Sequence, residues 1–203
     1  MKRSIILITI ISLCACQLLA QSIIWKVDKP HSQVNFSVTH LLIAEVTGRF
    51  TDFDANLTHT KDDFTDATIE ARIKTQSIDT DIERRDNHLR SDDFLNAEKY
   101  PEMVFKSTSV EKTGKDTYAI KGYLTIRDST KLVVLDAKFK GQTTDPWGNT
   151  RAVFKATTTI DRFEFGTKWN AALETGGLVV GRDVEITLLM QFIKQKNETE
   201  GKK

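Results

Sequence analysis

The chain has 203 residues, 29 basic and 28 acidic side chains and two cysteines. So even a balance lacks the clustered basic charge on which nucleic-acid binding relies, and it gives no purely electrostatic hold on anionic lipid. Both cysteines, Cys14 and Cys16, precede residue 21, so the domain that follows has no disulfide and must be held by its apolar core.

Lys2 and Arg3, the apolar run Ile5 to Leu13, and small residues near Ala15 and Ala20 follow the order of a secretory signal peptide. The run is shorter than the roughly 20 apolar residues of a spanning helix. Cleavage between Ala20 and Gln21 is expected, with a signal peptide over 1–20, an exported chain from 21, and no transmembrane segment left. The expected location is outside the cytoplasm. Leu13-Cys14-Ala15-Cys16 is a loose version of a bacterial lipoprotein box, so lipidation at Cys16 is the alternative. Loss of Lys2 and Arg3 leaves 27 bases against 28 acids.

From there the dominant pattern is period-two alternation, the mark of strands with one buried face. Val34, Phe36 and Val38 form the first run. Val46, Gly48 and Phe50 begin a second, which continues through Phe53, Ala55 and Leu57. The phase slips between Phe50 and Phe53, which predicts a bulge or bend. Ala67, Ile69, Ala71 and Ile73 make the third. Helical spacing then places Ile82, Arg85 and Leu89 on one side of a helix from Ile82 to about Arg90. Asp79 or Thr80 is expected to cap it, Ser91 to Asp93 to turn the chain after it, and nearby carboxylates to pair with Arg84 and Arg85. Met103 and Phe105 lie on the fourth run, Tyr118 to Ile126 on the fifth, and Val133 to Phe139 on the sixth. Phe154 to Ile160 and Val184 to Phe192 complete eight. Lys168 to Leu178 reads as a loop or a single helical turn before Gly176-Gly177, and residues 194–203 as a disordered polar tail.

Turn signals at Lys112-Thr113-Gly114-Lys115, Arg127-Asp128-Ser129-Thr130 and Asp145-Pro146-Trp147-Gly148-Asn149 make the links short, which favours antiparallel neighbours. The expected fold is all-β, one domain over 21–193: an eight-stranded antiparallel barrel with a short helix inserted between strands three and four. Such a barrel has room inside for side chains or one small ligand.

Little in the chain suggests catalysis. His31, His40, His59 and His88 are far apart, without HxH or HExxH spacing, so no metal is expected. Asp79, Asp81, Asp86, Asp92 and Asp93 cluster around the helix and read as a rigid cover. A hydrolase built on them and His88 is the remote alternative. No nucleophile elbow or phosphate loop is present, so neither an enzyme nor a cofactor is expected.

Apolar interior is what the chain has in quantity. Eleven phenylalanines fall mostly at in-phase positions, and Gly48, Ala67, Ala71, Gly122, Ala137 and Ala156 among them would leave room beside the large rings. An apolar tunnel suits a long hydrocarbon, buried at roughly 0.8 kcal/mol per methylene. Phe36, Val38, Phe50, Phe53, Ile69 and Ile73 are expected to line one wall. Met103, Phe105, Leu124, Ile126, Phe139 and Phe154 are expected to line the rest, with Leu89 and Phe94 closing one end.

Several stretches resemble one family. Asp28, His31-Ser32 and the run to His40 look like its opening strand, and Gly48-Arg49-Phe50 with Phe53 its second. Ser77 to Thr80, Arg85 to Leu89, Ser91 to Phe94 and Tyr100-Pro101 resemble its central signature. Gly122 to Arg127 with Thr130-Lys131, and Arg162 to Gly166, resemble two later motifs. The chain is thereby similar to YceI-like polyisoprenoid-binding proteins from Trp25 to Ile193. It departs from their pattern at Asp128 and Asp161. The resemblance implies a lipocalin-like barrel, a periplasmic or secreted location in a bacterium, and a long isoprenoid ligand, either a quinone or a polyprenyl phosphate. It also implies that a homodimer can form. The expected function is an extracytoplasmic binding or transport protein for such a lipid. The alternative is a ligand-free structural or stress-response interaction protein with a filled barrel.

Overall fold

A computed structural model describes residues 21–174 and 176–196. The expected leader, lipidation at Cys16 and nearly all of the polar tail lie outside the described residues. The alternating runs become eleven strand segments of one antiparallel sheet. In chain order they are β1 (Ile23–Val27), β2 (Gln33–His40), β3 (Ala44–Phe50), β4 (Phe53–His59), β5 (Thr68–Lys74) and β6 (Ile78–Asp79). The helix α1 (Glu83–Arg90) follows, then β7 (Glu102–Gly114), β8 (Thr117–Ile126), β9 (Ser129–Thr144), β10 (Thr150–Asp161) and β11 (Val180–Lys194).

Two breaks make bent strands out of four of these segments. Pro30 sits in a tight 3₁₀ turn, Lys29–His31, between β1 and β2, because its ring fixes φ and removes a ladder donor. Thr51-Asp52 separates β3 from β4, where the sequence loses phase. Across these bends β2 pairs with β3, Phe36 opposite Gly48, and β1 pairs with β4, Trp25 opposite Leu57. The order continues β5, β7, β8, β9, β10 and β11. The first part of β11 then pairs with β2 and its last residues with β1, Trp25 opposite Lys194. The result is a closed antiparallel barrel of eight walls in meander order. β11 runs to Lys194, and Gln195 N–H still donates to Ile24 O, so the sheet reaches past the expected boundary at 193.

One end of the barrel carries the α1 segment. The helix starts one residue later than predicted, with Ile82 at the N-cap and no side-chain cap bond there. Neither Asp79 nor Thr80 caps it. Instead the Thr80 backbone N–H (2.9 Å) and hydroxyl (2.5 Å) donate to Asp86 Oδ1, and Arg85 donates to the Thr80 hydroxyl and carbonyl. Arg85 therefore reaches back along its own chain rather than pairing with a carboxylate. β6 pairs with the end of β3 at Arg49–Asp79 and Phe50–Ile78, which fastens the segment to the wall. Its far end is gripped from two sides. Arg127, in the β8–β9 turn, donates to the Asp92 and Phe94 carbonyls, while Lys168 and Trp169 N–H groups both reach Asp93 O. Among the described residues between Lys168 and Leu178 the connection is irregular, with a bridge between Ala172 and Leu178. Of the two forms expected there, the loop is the one observed; a separate 3₁₀ turn lies earlier, at Arg162–Phe165, where Asp161 accepts from Phe163 N–H.

The other end is packed shut. Phe64, held at φ 60° in the β4–β5 loop, packs at a tilt against His59 (4.5 Å) and Phe139 (5.4 Å) and edge-to-face on Phe154 (5.3 Å). Buried Trp25 donates its indole N–H to His59 Nε2 at 2.8 Å.

Candidate functional site

The barrel interior is not filled by side chains. It holds an apolar cavity of about 270 Å³, larger than the roughly 150 Å³ dry void that can take a benzene-sized guest. Inward residues of β4, β7 and β8, such as Ala55, Met103 and Leu124, are almost wholly covered. Inward residues of β2 and β11, such as Phe36, Val38, Val184, Ile186 and Leu188, are only half-buried and face the cavity. The space therefore lies toward the β2–β11 side.

The structure brings thirteen of the fourteen residues expected in the pocket onto this cavity. These are Phe36, Val38, Phe50, Phe53, Ile69, Ile73, Leu89, Phe94, Met103, Phe105, Leu124, Ile126 and Phe154. Phe139 is the exception. The β9–β10 register shifts between Val153 and Phe154, and Phe139 packs against Phe64 and Phe154 in the closed end. Two of the small residues also leave no room. A β-carbon on Gly48 would come within 2.4 Å of the Phe36 ring, and one on Gly122 within 2.4 Å of Phe105 and 2.6 Å of the Lys106 carbonyl. Those rings lie directly on the glycines, whereas Ala67, Ala71, Ala137 and Ala156 do line the cavity.

Sequence reasoning omitted other lining residues. Val184, Ile186, Leu188 and Met190 on β11 carry the same alternation as the residues that were chosen, so the signal was there. Phe64, Leu95 and Val180 lie in or beside loops, where no period marks them.

Arg162 and Thr167, which reach the cavity, are engaged in holding its frame. Arg162 is buried, and its guanidinium donates to the carbonyls of Gly181 (2.8 Å), Trp169 (2.8 Å) and Val180 (3.2 Å) and to the Thr167 hydroxyl (3.3 Å). Burial lowers its pKa from the usual arginine value. This stitches the β10–β11 connection to the start of β11. Phe94 stacks on Trp169, and His88 sits edge-on to both while contacting Asp93 at 2.8 Å.

Each acid around α1 has such a structural contact. Asp79 and Asp81 meet Arg49. Asp92 takes Lys168 (2.5 Å), Arg127 (2.9 Å) and Asn96 (2.7 Å), and these donors hold its carboxyl down at about 2. The acids around α1, with His88 beside them, thus build the cover. Among the described residues no three His, Cys, Asp or Glu side chains are placed to hold a metal ion. What remains on the inside is a surface suited to burying hydrocarbon.

A family model described as the YceI-like domain matches residues 25–192. The chain belongs to the YceI-like family. Protein YceI of Escherichia coli O157:H7 is 37% identical over 198 residues, covering 97% of this chain and all of that protein. The crystal structure of the Campylobacter jejuni YCEI protein superposes with a TM-score of 0.66 at 29% identity, over 78% of this chain and 90% of that one. A polyisoprenoid binding domain from Saccharophagus degradans has the same fold, with a TM-score of 0.65 at 14% identity over 84% of this chain and 98% of that one. No helix among the described residues is long and apolar enough to cross a membrane.

Proposed function

We propose that this protein is an extracytoplasmic binding and carrier protein for a long-chain isoprenoid lipid, an isoprenoid quinone or a polyprenyl phosphate, held in the barrel. The observation that carries this reading is the apolar cavity left open inside a closed barrel by residues such as Ala71, Ile186 and Leu188. A filled barrel with only structural duties would place larger side chains there. The printed description of the Saccharophagus degradans neighbour as polyisoprenoid binding supports the same ligand class, and the apolar leader Ile5 to Leu13 supports export.

The driving force is burial of chain methylenes, at roughly 0.8 kcal/mol each, so binding grows with chain length and depends little on polar contacts. Native mass spectrometry of protein purified from its own host tests this. An adduct of isoprenoid mass is expected. Protein that arrives without lipid and also refuses added quinone and polyprenyl phosphate would overturn the reading. Comparing the mature N-terminus of protein from the cell envelope with Gln21 and with Cys16 distinguishes cleavage from lipidation.

A further inference from the structure

The hairpin joining β2 to β3 turns through Leu41-Leu42-Ile43, and all three side chains stay outside. They are 44%, 56% and 94% exposed. Leu41 and Leu42 also have φ values of 52° and 67°. This is the left-handed region, where a branched side chain is strained and glycine or asparagine would be at ease. The turn thus keeps two costly features together, strain and exposed aliphatic surface, where Asn-Gly would relieve both. Its base is anchored. Leu41 N–H donates to Val179 O at 2.9 Å, Leu42 lies against Gly177, and His40 pairs with Val180. Val38 and Val180, just below, line the cavity. The apex therefore stands on the cavity's rim, at the α1 end of the barrel and opposite the end that Phe64 and Trp25 close.

We infer that this apex inserts into the surface of a phospholipid bilayer and holds the cavity's rim there while lipid is exchanged. The inference rests on the isoprenoid-lipid reading, which makes the cargo a membrane constituent. Shape and charge both favour a bilayer as the partner. A protruding point with Ile43 at its tip needs a matching socket on a protein, whereas a fluid bilayer accommodates it without one. No charged side chain lies between Leu41 and Ala44. Association is therefore hydrophobic, tolerates salt, and needs no anionic lipid.

Flotation of the chain with phosphatidylcholine vesicles, at low and at high salt, tests the inference. The protein is expected to float in both. Ile43→Asp and Leu42→Asn should each reduce flotation by about tenfold or more, since each removes apolar surface at the apex. Ile43→Asp should melt like the parent, and Leu42→Asn at the same temperature or higher, because Asn accepts the left-handed backbone. Both variants should load quinone dispersed in detergent normally but take it slowly from vesicles.

Absence of flotation by the parent chain overturns the inference, as does undiminished flotation by both variants. Concentration-dependent self-association abolished by Ile43→Asp, without vesicle binding, would assign the apex to a second copy instead. Failure to load any isoprenoid lipid from detergent would sink the ligand reading, while flotation would still report on the apex.

Discussion

His59 lies between two groups of fixed character. The Trp25 indole N–H only donates, so Nε2 must accept, and the Lys61 carbonyl only accepts, so Nδ1 must donate, at 2.8 Å in each case. One tautomer satisfies both, and the pair is buried. Trp25→Phe leaves Nε2 without its donor and should cost about 1–3 kcal/mol in urea unfolding. Cavity residues behave differently. Ala71 faces the open space, so Ala71→Phe is expected to abolish lipid uptake with little change in the melt. Gly122→Leu drives atoms into Phe105 and the Lys106 carbonyl and should instead lower stability by about 1–3 kcal/mol through overpacking. If Ala71→Phe kept uptake and lost stability, that part of the interior would be core. The two positions look alike in the sequence, because alternation tells which way a residue points and not how much space is in front of it. Asp128 shows a related limit: the left-handed residue of its turn is Arg127 (φ 56°), and Asp128 is free to accept from the Tyr100 hydroxyl at 2.8 Å.

The α1 segment was legible as an interruption, since its charged helical spacing stands apart from eight alternating runs. Its fastening was not. Arg127 is 35 residues from Asp92 and Lys168 is 76 from it, so no local pattern could join them. These long-range bonds have a consequence in acid. Lys168, Arg127 and Asn96 hold the Asp92 carboxyl at about 2, below the ordinary value of about 3.9. A depressed folded value adds stability that is complete above the unfolded value and is lost as pH falls through the folded one. Asp92→Asn should therefore melt lower than the parent above about pH 5, with the gap closing between about pH 4 and pH 2. A gap independent of pH would mean that the ion pairs with Lys168 and Arg127 contribute nothing at this exposed site.

At the scale of the whole molecule, eight walls and their meander order followed from period and short links, and the slip at Phe50–Phe53 marked a real bend. β1 was missed because Ile23, Ile24 and Trp25 are apolar on both faces and Pro30 cuts them off from β2. The cavity's size was also hidden, being a property of how rings from separate strands pack. A lipid bound only by the folded barrel raises its stability by mass action, about 2.7 kcal/mol at a hundredfold excess over Kd. Thermal melting with a series of quinones should show a shift that grows with tail length. Equal shifts for short and long tails would place binding outside the cavity.

The seam that closes the ring also decides where the chain can be cut. Trp25 and Lys194 are partners in register, so the first and last strand segments run side by side at the packed end, away from the apex at Leu41–Ile43. A short linker between them would cost little in loop closure, and new ends could be opened at Pro146–Gly148, the exposed tip of the β9–β10 turn. Such a circular permutant should fold into the same barrel with its cavity intact. Fusions at either natural end of the domain should likewise leave the opposite face free.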